Sequence, residues 1–72
     1  MNLVEVALPT PLRSTFTYQH NQQESLIGKR VIVDFGRRKL VGIVIKNNHQ
    51  KKVKFKVKYL SKVLDESPVF NA

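Results

Sequence analysis

Apolar residues alternate with polar ones along most of the chain, in short runs separated by proline, glycine and polar residues. Side chains on a β-strand point alternately to the two faces of a sheet, so this period of two predicts strands. Residues 2–8 and 52–60 show it, while residues 13–19 are rich in β-branched and aromatic residues, residues 29–35 form a third short run, and residues 40–48 are apolar on both faces. No run repeats its apolar residues at helical spacing. The pattern therefore predicts an all-β fold, a small barrel or sandwich.

The connections are marked by residues that interrupt strands. Pro9 and Pro11 cannot donate ladder hydrogen bonds, so they predict an extended connection, and residues 20–28 predict a loop. Gly36 and the three cations that follow it, Arg37, Arg38 and Lys39, predict the turn between the third and fourth strands. Gly42, inside the fourth run, predicts a bulge or bend of the kind a closing barrel needs.

The fifth run alternates almost perfectly. Val53, Phe55, Val57 and Tyr59 are expected on one face, and Lys52, Lys54, Lys56 and Lys58 on the other. Residues 61–65 either continue this strand or turn out of it. Ser67 and Pro68 resemble a helix start, so residues 66–72 are expected to begin a helix that this chain does not complete. We therefore expect residues 1–72 to form one subdomain of a longer protein.

Charge is the strongest compositional signal, because 13 lysines and arginines against 5 acidic residues give a formal net charge of +8. Such an excess favours a polyanionic partner, and nucleic acid most of all. The alternatives are a small basic barrel that binds RNA or the ribosome, an interaction domain for an acidic protein, and a solvated surface whose lysines protect a strand edge.

Several kinds of chemistry are excluded or disfavoured. The chain has no cysteine and two distant histidines, so no zinc site is expected. It has no phosphate-binding loop and no arguable catalytic set, which favours a binding module over an enzyme. Glu5 is read as an outward strand residue. No run is long enough to cross a membrane and no signal peptide is evident, so a cytoplasmic location is expected.

Three features could contact nucleic acid. Gly36 can expose backbone N–H groups to a phosphate, beside the cations of residues 37–39. The lysine face of residues 52–58 can neutralise phosphates. Phe16 and Tyr18 share one strand face, with Thr17 between them pointing away, and such rings can stack on bases or belong to the core.

Four motifs, in order, resemble the amino-terminal region of the PriA-type primosomal helicases, which restart replication forks. They are VALPTPLRSTFTY at 6–18, GKRVIVDFGRRK at 28–39, VGIVI at 41–45 and KYLSKVLDESPVF at 58–70. The resemblance implies a 3′-DNA-binding domain with a small open Greek-key-like β-barrel, similar to the carboxy-terminal domain of methionyl-tRNA formyltransferases. It also implies capture of the 3′ end of the nascent leading strand at a stalled fork.

The resemblance implies a DNA-binding pocket as well. Its residues here would be Phe16, Thr17, Tyr18, Gly36 and Lys58. The aromatic ring would stack on the terminal base, the backbone near Gly36 would touch the base or phosphate, and Lys58 would meet the phosphate. Residues 37–39 would serve the flanking duplex backbone.

This chain departs from the family pattern at one pocket residue, and the resemblance places several of the family's functions outside residues 1–72. The family usually carries an aspartate where this chain has Thr17, which predicts a weaker preference for a 3′-hydroxyl over a 3′-phosphate end. No cofactor is expected in residues 1–72. The resemblance implies that ATP with Mg²⁺, structural zinc, helicase activity and contacts with other primosome proteins and single-stranded DNA-binding protein belong to the parent.

Overall fold

The computed structural model describes residues 2–11, 14–48 and 56–69 of the chain. Its five β-strands are β1 (Asn2–Ala7), β2 (Phe16–His20), β3 (Arg30–Phe35), β4 (Arg38–Asn48) and β5 (Lys62–Val63). They pair antiparallel in a single sheet, in the order β2-β1-β4-β3-β5. None of the described residues is helical, which confirms the all-β prediction.

The sheet curls because the last segment reaches from one side of it to the other. The Gln19 N–H donates to the Lys58 carbonyl at 3.0 Å, and the Leu60 N–H donates to the Gln19 carbonyl at 2.9 Å. One residue later, the Ser61 N–H donates to the carbonyl of Ile32 on β3 at 2.8 Å. Residues 58–61 thus connect β2 with β3 and give the small open barrel that the sequence predicts.

The barrel interior is filled by alternate residues of the strands and by one residue from a loop. The fully buried members of this core are Val4, Val6, Leu26, Val31, Val33 and Val44, and Tyr18 is almost as deeply buried. Burial of each aliphatic side chain stabilises the fold by about 1.5–3 kcal/mol. Residues 21–29 form the predicted loop, which begins one residue later than predicted because His20 ends β2. The sequence pattern did not predict that this loop inserts Leu26 into the core.

The β3–β4 hairpin has a shorter turn than predicted. Phe35 pairs with Arg38, so only Gly36 and Arg37 lie in the turn, while Arg38 and Lys39 begin β4. Gly36 has a φ of 64°, the positive value required at the first position of a two-residue hairpin turn of type II′. The prediction that all three cations occupy the turn is therefore wrong.

Gly42 does not form the predicted bulge. The register between β1 and β4 shifts between Glu5, which pairs with Lys46, and Val6, which pairs with Val44, so Ile45 is the extra residue. Gly42 is required instead by a close approach of β1. A Cβ atom there would lie 2.6 Å from side-chain atoms of Leu8 and Val6 and 2.7 Å from the Ala7 carbonyl oxygen.

The run at 52–60 is only partly described. Four residues of the predicted apolar and lysine faces, Lys52, Val53, Lys54 and Phe55, lie outside the described residues, and residues 56–60 form a single bridge, from Tyr59 to Gln19. Val57 is buried whereas Tyr59 is 53% exposed, so these two residues, which were predicted to share one face, differ in their burial. The alternation breaks because the chain crosses from β2 to β3 within these few residues. The helix start at Ser67 stays a prediction.

Candidate nucleic-acid interface

An open cleft of about 370 Å³ lies where β2, the β3–β4 hairpin and residues 56–58 meet. Its size is within the range of cavities that hold a small ligand or a single nucleotide. It is lined by Thr15, Phe16, Thr17, Tyr18, Asp34, Phe35, Gly36, Lys56 and Lys58. All five pocket residues implied by the resemblance are among them, although they come from three separate parts of the chain.

The two aromatic residues of β2 have different positions: Phe16 forms a wall of the cleft, and Tyr18 belongs to the core. Phe16 is half-buried, and its ring meets Phe35 edge to face, with 4.8 Å between centroids and 78° between planes. Tyr18 is only 5% exposed, and its hydroxyl donates to the Asp34 carbonyl at 2.9 Å. Burial raises the pKa of Tyr18, and the nearby Asp34 charge raises it further. Phe16 is therefore the ring of the predicted pair that remains available to a base.

Two backbone sites face the cleft. Gly36 is exposed, and a Cβ atom there would meet nothing within 4 Å, so its peptide groups are open to a ligand. On β2, Gln19 directs its N–H and C=O groups away from β1 and toward residues 58–60. Backbone groups two residues apart on a strand point the same way, so the N–H and C=O groups of Thr17 are directed toward the cleft.

The charged residues of the cleft are Lys56, Lys58 and Asp34. Both lysines are exposed, while the intervening Val57 is buried, so the lysine-face prediction holds for the described pair. The Lys58 backbone is fixed by its hydrogen bond from Gln19. A short two-lysine edge beside an aromatic ring is typical of surfaces that track a nucleic-acid backbone.

The three cations of the hairpin do not line the cleft. Arg37 and Arg38 are exposed beside Gly36, on the outside of the hairpin. Lys39 donates from Nζ to Asp34 Oδ1 at 2.8 Å, and its Nζ lies 3.5 Å from Ser61 Oγ. Arg37 and Arg38 remain available to a polyanion that leaves the cleft, whereas Lys39 already has an acidic partner.

Glu5, on β1 opposite Thr17 of β2, accepts hydrogen bonds from three side chains on the sheet face opposite the core. The Thr17 hydroxyl donates to Oε2 at 2.6 Å, the Thr15 hydroxyl to Oε1 at 2.8 Å and the Asn48 amide to Oε2 at 2.8 Å. Burial alone would raise the pKa of Glu5, but these bonds and the Lys46 charge outweigh burial and lower it. Glu5 points outward as predicted, yet it is only 8% exposed and orders the strand that lines the cleft.

Sequence reasoning missed four residues of the cleft as site residues, namely Thr15, Asp34, Phe35 and Lys56. Phe35 and Asp34 belong to the VDFG segment, and their neighbour Gly36 was the available signal. Lys56 was predicted as one of a face of lysines without being placed at the pocket. Pairing between β2 and residues 56–60 brings these parts together, and no local pattern shows that pairing.

Two negative findings concern the described residues alone. Within ranges 2–11, 14–48 and 56–69, no three histidine, aspartate or glutamate side chains are grouped so as to hold a metal ion. The same ranges contain no helix long and apolar enough to cross a membrane.

Comparison with known proteins gives two matches. The family described as "3′DNA-binding domain (3′BD)" of PriA matches residues 5–72. The "Replication restart protein PriA" of Treponema pallidum (strain Nichols) is 39% identical over 49 residues, which covers 64% of this chain. The match spans only 8% of the length of that relative.

Proposed function

The chain belongs to the 3′DNA-binding domain family of PriA, and we propose that its cleft binds the 3′-terminal nucleotide of a DNA strand. The observation that supports this proposal is the convergence of an accessible ring, an open glycine backbone and two lysines on a single cleft, at Phe16, Gly36, Lys56 and Lys58. These are the three chemical groups that hold a nucleotide: a stacking surface, peptide donors and cations.

Each group has a distinct part in the proposed complex. The Phe16 ring stacks on the terminal base, with Phe35 supporting it from the side. The peptide groups of Gly36 and Thr17 hydrogen-bond to base or phosphate. Lys58 pairs with the phosphate, and its position is set by the barrel through Gln19.

The neighbouring residues extend the contact beyond the last nucleotide. Tyr18 holds β2 against β3 from within the core rather than touching the base. Arg37 and Arg38, exposed on the hairpin beside the cleft, meet phosphates of the flanking duplex. These contacts are independent of sequence, so their contribution should fall with added salt.

The domain is proposed to serve replication restart within a longer protein, capturing the 3′ end of the nascent leading strand at a stalled fork. The name of the Treponema relative supports this role, and the present chain spans a small part of that relative's length. Helicase activity with ATP and Mg²⁺, structural zinc, contacts with other primosome proteins and single-stranded DNA-binding protein, and a cytoplasmic site of action would all belong to that longer protein.

The test is a competition experiment on the chain itself, in which fluorescence anisotropy at fixed salt measures the displacement. A labelled single strand with a free 3′ end is displaced by linear DNA, by circular single-stranded DNA or by RNA of the same sequence. The proposal expects linear DNA to compete best, because a circle has no end to enter the cleft. Equal competition by the circle contradicts end capture, and stronger competition by RNA favours the RNA-binding alternative.

A further inference from the structure

The sheet face that points away from the core carries a block of apolar residues on β1, β3 and β4. Val31, Val33 and Val44 are buried in the core, so the residues that alternate with them point outward. Residues paired directly across antiparallel strands share a face, and Ile32 pairs with Val41. The same registers place Ile43 between Ala7 and Arg30 on the outward face.

Part of this outer block is open to solvent. Val41 is 48% exposed, and Ile45, which follows the buried Val44 on β4, is 42% exposed. With strands about 4.8 Å apart and a rise of about 3.3 Å per residue, the block measures about 14 Å from β5 to β1 and about 13 Å along β4. Contiguous exposed apolar surface on a soluble domain marks an interaction site. Its size fits two or three turns of a single helix, which is about 10 Å across.

Two exposed lysines stand at opposite corners of the outer block. Lys62 on β5 pairs with Ile32, and Lys46 on β4 pairs with Glu5. Neither lysine forms an ion pair with any of the residues that the structure describes. The apolar block is therefore flanked by two cations that are free to meet a partner.

The acidic groups on the same face are already engaged. Asp65 accepts two hydrogen bonds from the Arg30 guanidinium, at 2.9 Å and 3.1 Å. Asp34 accepts one from Lys39 at 2.8 Å. Glu5 is almost fully buried beneath the three side chains that donate to it. The uncommitted charge around the outer block is thus positive.

We propose that the outer block docks a short amphipathic helix of a separate partner protein, one with an apolar stripe flanked by acidic residues. The stripe covers Val41 and Ile45, and the acidic flanks meet Lys46 and Lys62. Charge complementarity supports acidic flanks, and the size of the block supports one short helix. The inference goes beyond the proposed function, because no residue of the outer block lines the cleft.

Two other occupants fit the outer block less well. A second copy of the chain would bring the same surface against itself, with its lysines, between two molecules that each carry a formal net charge of +8. A nucleic acid would satisfy the lysines, but Val41 and Ile45 offer it neither a stacking ring nor a hydrogen-bond donor. An acidic amphipathic helix matches both the charge and the apolar surface.

The experiment titrates the chain with a labelled synthetic helix and follows fluorescence anisotropy. The peptide has about eleven residues, with leucine at positions i, i+3, i+4 and i+7, glutamate on both flanks and a lactam bridge on its solvent side. A second peptide replaces each glutamate by glutamine. We expect the acidic peptide to bind about fivefold more tightly, the scale of two exposed ion pairs. Equal binding of the two peptides, or binding of neither, overturns the proposal.

Variants of the chain test the two parts of the contact separately. Val41→Ser should weaken binding of the acidic peptide about fivefold, because the helix covers this side chain. Tyr59→Ser is its control, at a residue that is 53% exposed beside β2 and outside the block. Lys62→Glu should weaken binding by a similar factor, and Arg37→Glu makes the same charge reversal in the hairpin turn. Circular dichroism verifies folding, and a loss in either control as large as in its test variant overturns the assignment.

Three further measurements distinguish the other occupants. Sedimentation equilibrium should find the chain monomeric, and a dimer that Val41→Ser dissolves assigns the block to a second copy instead. A saturating oligonucleotide should leave the peptide bound, and complete displacement assigns the block to nucleic acid. The peptide should also bind a longer protein that contains this domain. Binding to the isolated chain alone would show that the longer protein covers the block itself, which overturns the assignment to a separate partner.

Discussion

The hydroxyl of Tyr18 donates a hydrogen bond to the backbone carbonyl of Asp34, with 2.9 Å between the two oxygens. The bond joins β2 to β3, which are not neighbours in the sheet order β2-β1-β4-β3-β5. Because Phe16 and Gly36 each lie two residues from one of its ends, this bond sets the separation of the two walls of the cleft.

Removal of this hydroxyl should destabilise the barrel. Tyr18→Phe leaves the Asp34 carbonyl without its donor, and we expect the free energy of unfolding to fall by about 1–2 kcal/mol, the cost of an unmade internal hydrogen bond. Urea denaturation measures it. Tyr59→Phe makes the same chemical change at a residue that is 53% exposed, and an equal loss in both variants would contradict the role of the bond.

Phe16 should contribute more to binding than to stability. Phe16→Leu keeps an apolar side chain against Phe35 but removes the stacking surface, so we expect DNA binding to weaken by about 1–3 kcal/mol. Anisotropy titration and urea denaturation are both needed. Leu26→Val, in the core and outside the cleft, controls for lost stability, and an equal loss of affinity in that variant would show that Phe16 acts only through the fold.

Lys58 should contribute one phosphate contact. Lys58→Ala is expected to lower the slope of log affinity against log salt concentration by about one, because one fewer counterion is released on binding. Lys62→Ala removes an equivalent exposed cation from β5, away from the cleft. A slope that changes as much in Lys62→Ala as in Lys58→Ala would indicate a diffuse charge effect instead of a contact.

Substitutions of the two glycines, Gly36 in the hairpin turn and Gly42 in β4, should have different effects on stability and DNA binding. Gly42→Ala places a Cβ atom 2.6 Å from Leu8 and Val6, so we expect a loss of about 1–3 kcal/mol in stability. Gly36→Asn should lose about 1 kcal/mol, because a side chain is strained at the φ of 64° even though the surrounding space is open, and its side chain should also obstruct DNA binding. Intact DNA affinity in a folded Gly36→Asn variant would argue against backbone contact at this position.

The hydrogen bonds to Glu5 predict an acid-labile contribution to stability. Its pKa in the folded chain lies below the ordinary value of 4.5, so the carboxylate stabilises the fold fully above that pH. The contribution is lost as the pH falls through the folded value. We expect Glu5→Gln to be less stable at pH 7 and to show a shallower loss of stability between pH 5 and pH 3 than the wild type, measured by thermal unfolding. Glu66→Gln should retain the wild-type slope.

Local sequence patterns predict the strands of this fold well, but they predict poorly the contacts between segments that are distant in the sequence. The runs at residues 2–8 and 29–35 predicted β1 and β3 within one or two residues, because each strand buries a row of alternate apolar side chains in the core. The burial of Glu5 depends on Asn48, 43 residues away, and the position of Tyr59 depends on the crossing between β2 and β3. Partners so distant leave no periodic trace in the sequence.

The site was predictable to the same extent. Phe16, Gly36 and Lys58 stand in recognisable motifs, and the structure brings them to one cleft. Their neighbours Asp34 and Lys56 carry no motif of their own, so only the folded arrangement shows that an acid and a second lysine share the cleft.

The segment that connects β2 to β3 also carries Lys58, so barrel closure and cation placement are not separate properties. Because of this linkage, a phosphate bound to Lys58 should stabilise the seam, the backbone hydrogen bonds between β2 and residues 58–60, against local opening. The amide protons of Gln19 and Leu60, which close the seam, should therefore exchange with solvent more slowly when DNA is bound.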